Sequence, residues 1–180
     1  MNVLAIGDIV GEGGLQFLEQ QLKAVRKWKN IDFVVANGEN SCGIGIVPRQ
    51  AERLYNAGVD VITLGNHVWG KSEIEPYLDD NAYILRPANL APQVPGRGYA
   101  VFEVGRNFRC LVVNLMGRCE MNFGPDNPFL CMDRILKQQA GQFDLALVDF
   151  HAAATSEKLA MGYLLDGRVT AVWGTHTHVP

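Results

Sequence analysis

Short apolar runs alternate with longer segments of helical spacing along this chain. Runs of strand length lie at residues 3–6, 33–36, 61–64, 99–104, 110–115, 145–150 and 169–173. Between them, the spacing of apolar side chains predicts helices at about 15–28, 49–57, 129–139 and 156–165. Strands that alternate with helices are typical of an α/β fold.

The middle of the chain indicates how some of these strands are arranged. A Pro-rich stretch at 87–95 predicts a loop, and the runs at 99–104 and 110–115 that follow it are predicted to be neighbouring strands of a second sheet. The link Gly105, Arg106, Asn107 between them is typical of a hairpin. No change of composition divides the chain, so we predict one domain over residues 1–180.

Composition excludes two classes of protein. Of the 180 residues, 48% are hydrophobic and 19% are charged, which provides a core and excludes intrinsic disorder. The 16 Lys and Arg against 19 Asp and Glu give a net charge of −3. This balance lacks the basic excess that holds a nucleic-acid backbone, so we expect no stable nucleic-acid partner. The charge balance does not exclude a homo-oligomer.

The N-terminus and the cysteines bear on the compartment. The first apolar run has no cationic stretch before it and ends at Asp8 after a few residues, so we expect neither a signal peptide nor a membrane span. The four cysteines, Cys42, Cys110, Cys119 and Cys131, form no Cys-x-x-Cys pair. We therefore expect free thiols in a reducing cytoplasm.

Polar side chains follow five of the apolar runs directly. They are Asp8, Glu39 with Asn40, Asn66 with His67, His151, and His176 with His178, and they include all four histidines of the chain. Because ligands bind at the carboxyl ends of strands in open α/β sheets, we expect these side chains to meet at one edge. We expect His176 and His178 to point to the same side of an extended segment, and Asn66 and His67 to point in different directions from another.

Each residue alone also has a structural explanation. Asp8 could cap a helix, Asn37 and Gly38 could form a tight turn, and His67 or His151 could be hydrogen-bonded histidines without a ligand. The joint pattern favours a metal site, because scattered structural histidines would not all follow strands beside oxygen donors.

The donor set narrows the metal. Carboxylates, amides and imidazoles without cysteine favour iron or manganese, with magnesium, zinc or cobalt as alternatives. Six or seven donors are too many for one tetrahedral ion and fit two ions about 3.5–4 Å apart. Glu39, central in the order of the motifs, is the natural bridging carboxylate.

In order, these motifs resemble those of the calcineurin-like metallophosphoesterases. They are Gly-Asp-Ile-Val-Gly at 7–11, Asn-Gly-Glu-Asn at 37–40, Gly-Asn-His-Val-Trp at 65–69, His151, and Gly-Thr-His-Thr-His at 174–178. Val10 stands where the superfamily usually has a histidine, and Glu39-Asn40 replace an aspartate. With both departures, the motifs resemble those of one branch, the YmdB-like phosphodiesterases.

The resemblance implies a two-sheet αββα sandwich and a set of residue roles. Asp8, Glu39, Asn40 and His178 would hold the first metal, with Asn40 in place of the missing histidine. Glu39 would bridge to a second metal held also by Asn66, His151 and His176. His67 would be the proton donor to the leaving oxygen.

The implied activity is hydrolysis of small cyclic nucleotides such as 2′,3′-cyclic AMP, with metal-bound hydroxide attacking the phosphorus. A phosphomonoesterase with the same site, and a metal- or nucleotide-binding regulator without turnover, are the alternatives. The resemblance also implies that family members continue beyond the last motif, so we expect the last strands of the second sheet to be missing from this chain.

Overall fold

A computed structural model describes residues 1–105 and 108–179. In the first half it contains β1 (Val3–Ile6), α1 (Gly11–Lys29), β2 (Phe33–Asn37), α2 (Pro48–Ala57), β3 (Val61–Thr63), α3 (Ile74–Asp80) and β4 (Ile84–Leu85). In the second half it contains β5 (Tyr99–Val104), β6 (Phe108–Met116), α4 (Pro128–Gln138), β7 (Leu145–His151), α5 (Thr155–Leu165) and β8 (Ala171–Thr175).

The strands form two four-stranded sheets. The first has the order β1-β2-β3-β4 and is wholly parallel. The second has the order β5-β6-β7-β8, in which β5 is antiparallel to β6 and the other pairs are parallel. Parallel neighbours joined through helices place most strand ends of each sheet at one edge.

Alternation along the strands sorts the apolar side chains into layers. On β2, Val34 and Ala36 face the core beneath α1, α2 and α3, whereas Phe33 and Val35 face a core between the sheets. On β7, Val148 belongs to a third core, which includes residues of α4 and α5. Three cores separated by two sheets make the αββα sandwich, and the predicted fold class is confirmed.

Several element bounds differ from those predicted. Helix α1 begins at Gly11, earlier than position 15, and β8 lies two residues later than 169–173. The shift of β8 arises because Arg168 and Val169 donate their backbone N–H groups to Leu165 O at the end of α5. Helix α3 and the two-residue β4 were not predicted, because both are too short to show a clear period.

The predicted hairpin link lies partly outside the described residues. Its flanking strands are antiparallel neighbours, with Val104 paired to Phe108. Among the residues that the structure describes, no helix has the length and hydropathy that crossing a membrane requires.

Candidate metal centre

The polar motifs predicted from the sequence meet at the carboxyl edge of the two sheets. Asp8 follows β1, Glu39 and Asn40 follow β2, Asn66 and His67 follow β3, His151 ends β7, and His176 and His178 follow β8. The two sheets face each other, so residues that are distant in sequence come into direct contact. All eight predicted site residues belong to this one cluster.

The middle of the cluster is the buried pair Glu39 and His151. Glu39 Oε1 lies 3.1 Å from His151 Nε2, and both side chains are inaccessible to solvent. The same Nε2 lies 2.9 Å from Asn66 Oδ1 and 3.1 Å from His176 Nδ1. One ligand atom each from Glu39, His151 and His176 lies within 4.8 Å of the other two, which is close enough for a shared cation.

A second group of side chains borders this pair. His176 donates its backbone N–H to Asp8 Oδ2 at 3.0 Å, and His178 Nε2 lies 3.6 Å from Asp8 Oδ1. Asn40 Nδ2 lies 3.3 Å from both Glu39 Oε1 and His178 Nε2. Asn40 therefore connects the two halves of the cluster.

One carboxylate oxygen in the second group has no hydrogen bond. The Asp8 side chain is only 3% exposed, and its Oδ1 has no hydrogen-bond partner, since His178 Nε2 is 3.6 Å away. A buried anionic oxygen without a donor is unfavourable, and a cation would satisfy it. Together with oxygen and imidazole donors and no cysteine, this orphan oxygen makes the cluster fit hard or borderline divalent ions.

The protonation of the cluster also favours a cation. Burial raises the pKa of Glu39, but the hydrogen bond and the charge of His151, with lesser help from His67, outweigh it and hold the pKa below its usual value. Burial, with the charge of His151, lowers the pKa of His176. An ionised carboxylate and a neutral imidazole are the forms that bind metals.

His67 occupies the open side of the cluster. Its Nδ1 lies 2.9 Å from Asn40 Oδ1 and 3.4 Å from Glu39 Oε1, and its backbone N–H donates to Glu39 Oε2 at 3.1 Å. The side chain is 33% exposed, whereas that of Glu39 is fully buried. The ring is thus held at the cluster while part of it faces solvent.

The expectation that these histidines lie in extended segments was wrong. His176 and His178 have φ angles of 95° and 55°, in the left-handed region that non-glycine residues seldom adopt. Asn66 and His67 lie in a turn rather than an extended strand end. The side chains still reach one cluster because turns, not strand alternation, direct them there.

Two functional residues were missed by the sequence analysis, Asp149 and Thr175. Thr175 Oγ1 donates to Asp149 Oδ1 at 2.7 Å and lies 2.9 Å from His151 Nδ1. Because the hydroxyl has one proton, Thr175 accepts from His151 Nδ1–H, which orients the ring so that Nε2 faces Glu39. The signal in the sequence is the spacing of two between Asp149 and His151, which places them on one face of β7.

Asp149 is held between the sheets. It is fully buried, and Thr63 Oγ1 of the first sheet donates to its Oδ2 at 2.5 Å. Burial raises the pKa of Asp149 to about 6, against the hydrogen bonds from Thr63 and Thr175, which lower it. At neutral pH the group is therefore ionised and accepts from both hydroxyls.

Gly65 is required by the packing of the site. A Cβ at this position would overlap the His151 ring and the Glu39 carboxylate. The glycine of the motif at 65–69 is thus explained by close approach, not by a special backbone angle.

The four cysteines are free, as predicted, and lie outside the Glu39, His151, His176 cluster.

Comparison with known proteins places the chain among relatives of similar fold. It is 40% identical over 182 residues to a 2′,3′-cyclic-nucleotide 2′-phosphodiesterase of Bacillus subtilis, a match that covers 99% of this chain and 67% of that protein. The crystal structure of a hypothetical protein from Thermus thermophilus superposes with a TM-score of 0.91 at 43% identity, covering 100% of this chain and 69% of the other.

A crystal structure described as that of a novel phosphatase from Mycoplasma pneumoniae superposes with a TM-score of 0.90 at 33% identity, covering 99% of this chain and 64% of the other. The chain thus spans about two thirds of the length of these relatives. The family model described as YmdB-like protein matches residues 4–180. On these grounds, and as its motifs predicted, the chain belongs to the YmdB-like family.

Proposed function

We propose that this chain is the metallophosphoesterase domain, residues 1–180, of a metal-dependent phosphodiesterase that hydrolyses small cyclic nucleotides such as 2′,3′-cyclic AMP. The observation that carries the proposal is the buried, unpartnered Asp8 Oδ1 beside the Glu39, His151, His176 cluster. The cyclic-nucleotide substrate rests on the likeness to the Bacillus subtilis phosphodiesterase.

We assign two divalent ions to the two halves of the cluster, and the donor set favours iron or manganese. Asp8, Glu39, Asn40 and His178 would hold one ion, and Glu39, Asn66, His151 and His176 would hold the other. Asn40 would bind through its amide oxygen, which has a second lone pair beside the one that faces His67 Nδ1 at 2.9 Å. When bound, the pair of ions supplies Lewis acidity at the phosphoryl oxygens and lowers the pKa of water.

We assign the proton transfer to His67. Its contacts within the cluster use Nδ1, so Nε2 is left to face the leaving oxygen. The transfer requires the imidazolium form, because only a protonated ring can give up a proton and return to neutral imidazole; its Nδ1–H faces Asn40 Oδ1 at 2.9 Å. His67 Nε2–H then donates its proton to the departing oxygen, which would otherwise leave as a basic alkoxide.

Hydrolysis of phosphomonoesters is the second candidate. The relative from Mycoplasma pneumoniae is described as a phosphatase, and the same cluster would bind a terminal phosphate. A metal- or nucleotide-binding regulator without turnover would need no proton donor and gives no role to the partly exposed His67.

The test is an assay of the full chain loaded with Mn²⁺ or Fe²⁺, with metal content measured on the same sample. We expect turnover of 2′,3′-cyclic AMP that exceeds the rate on the corresponding mononucleotide. Chelator-treated chain is the control and is expected to be inactive. Bound metal without hydrolysis of either substrate would contradict the proposal. Hydrolysis of the mononucleotide at a higher rate than that of 2′,3′-cyclic AMP would reassign the enzyme as a phosphomonoesterase.

A further inference from the structure

A second polar cavity lies outside the metal cluster. It has a volume of about 640 Å³ and is bordered by the end of α3, the segment that leads from β4 to β5, and α4. Its lining shares no residue with the cluster. The volume lies within the range typical of sites for small molecules.

Three arginines line this cavity, Arg86, Arg97 and Arg134. The backbone places two of them side by side, because Arg86 donates its N–H to Arg97 O at 3.0 Å. Arg134 enters from α4 and contacts Cys131 Sγ at 3.7 Å. With the lining carboxylates Asp79 and Asp126, the cavity has an excess of one positive charge.

Among the arginines that the structure describes, Arg86 is unusual because it is buried. Only 5% of the residue is exposed, and burial lowers the pKa of its guanidinium. Its hydrogen bonds run from Nε to Pro95 O at 3.0 Å and from Nη1 to Pro87 O at 2.8 Å. These two carbonyls leave Nη2 available for another acceptor.

Within residues 1–105 and 108–179, no carboxylate lies at ion-pair distance from any of the three cavity arginines. Arg26, Arg53, Arg109 and Arg168, all of which are more exposed than Arg86, have such a partner. Nor does Asp79 neutralise Arg97, because its Oδ1 accepts from Gly96 N–H at 2.6 Å while Arg97 Nη2 contacts only its backbone oxygen at 3.4 Å.

A buried cation without an anion is unfavourable, and folded proteins usually pair it. From the unpaired Arg86 and its two neighbours we infer that this cavity binds a small phosphorylated molecule by its phosphate group. One guanidinium group can donate two parallel hydrogen bonds to the oxygens of a phosphate. Several guanidinium groups together match the charge of a phosphate, which carries up to two negative charges. The site is separate from the proposed hydrolytic centre and does not depend on its activity.

The first test locates an anion directly. Crystals of the metal-loaded chain are soaked in sodium tungstate, a heavy analogue of phosphate, and the tungsten is located by its anomalous scattering. We expect a peak within hydrogen-bond distance of Arg86 Nη2, in addition to any peak at the metal cluster. A peak at the metal cluster alone would overturn the inference.

The second test measures affinity in variants that spare the buried arginine, which holds two carbonyls of its loop. Binding of inorganic phosphate is titrated by calorimetry to chelator-treated wild type, to the double variant Arg97→Gln, Arg134→Gln, and to Arg49→Gln as a surface control. Since hydrogen bonds to a charged group are lost, we expect at least about tenfold weaker binding in the double variant only. Equal affinity in all three proteins would overturn the inference, whatever the catalytic activity.

Discussion

His67 differs from His151 and His176 in how it is held. His151 is fully buried, and His176 contacts it edge-to-face at a ring separation of 4.8 Å. His67 instead presents a third of its side chain to solvent and contacts the cluster through Nδ1. This difference supports the proposal that His67 meets substrate whereas His151 and His176 bind metal.

Replacing His67 tests this separation. We expect His67→Ala to keep the metal content of the wild type and to lower kcat on 2′,3′-cyclic AMP by about 10²–10⁴, the usual worth of a general acid. Metal analysis and steady-state kinetics on one preparation measure both effects. His67→Gln, which retains a hydrogen bond to Asn40 but cannot act as the acid, should lose as much. A parallel loss of metal would make His67 a ligand instead.

The strands also carry a layer of polar residues between the sheets. On each central strand the face that is apolar at the amino end becomes polar at the carboxyl end, as in Val35 followed by Asn37 and Leu147 followed by Asp149. Asn114 of β6 reaches across to the first sheet and donates to Leu64 O at 2.6 Å and Leu85 O at 2.8 Å. These bonds fix the spacing of the two sheets beneath the cluster.

Element positions were largely predictable from the sequence, but this polar layer was not. Val3–Ile6 coincides with its predicted run, and Gly58 ends α2 in the left-handed conformation expected of a helix terminus. Asp149 lies inside the apolar run at 145–150, and one sequence does not reveal which polar neighbour an interior strand residue will meet. The contact of Asp149 with Thr63, 86 residues away, follows only from sheet packing.

The hydrogen bond between Thr175 of β8 and His151 of β7 predicts a specific effect on metal binding. We expect Thr175→Val to weaken Mn²⁺ binding by about 10–100-fold, because His151 loses the acceptor that fixes its tautomer. Thr175→Ser retains the hydroxyl and should bind as the wild type does. Calorimetric titration with Mn²⁺ gives the affinities, and circular dichroism establishes that each variant is folded. Unchanged affinity in the valine variant would show that Thr175 does not position His151.

In the molecule as a whole, the cluster joins the two sheets. Asp8, Glu39 and Asn66 follow strands of the first sheet, whereas His151 and His176 belong to the second. Ligands from both sheets assemble only in the folded chain. Any cation bound there therefore stabilises the packing of one sheet on the other.

Thermal unfolding measures that stabilisation. At a Mn²⁺ concentration of about 100 times Kd we expect a gain of about 2.7 kcal/mol, which raises Tm by about 5–11 °C for a chain of this size. A chelator should reverse the shift. Asn66→Ala, which removes a proposed ligand without disturbing the core, should reduce it. A Tm that is independent of Mn²⁺ in the wild type would exclude tight binding to the folded state.

The fold class and the family could be predicted because strand runs, helix spacing and five ordered motifs repeat the same information. The course of residues 174–178 could not, because its left-handed angles at His176 and His178 depend on contacts with Asp8 and Asn40. Local periodicity carries no record of such contacts. Arg86 and Arg97 of the cavity were not singled out for the same reason, since each is unremarkable in its own segment.

The bond from His176 to Asp8 joins residues 168 positions apart. During synthesis the first sheet and its helices are complete several seconds before His151 and His176 leave the ribosome, since chains grow at about 5–20 residues per second. The nascent protein consequently displays Asp8, Glu39 and Asn66 for several seconds without His151 and His176. Any ion that requires His151 and His176 as ligands can therefore bind tightly only after the second sheet has formed.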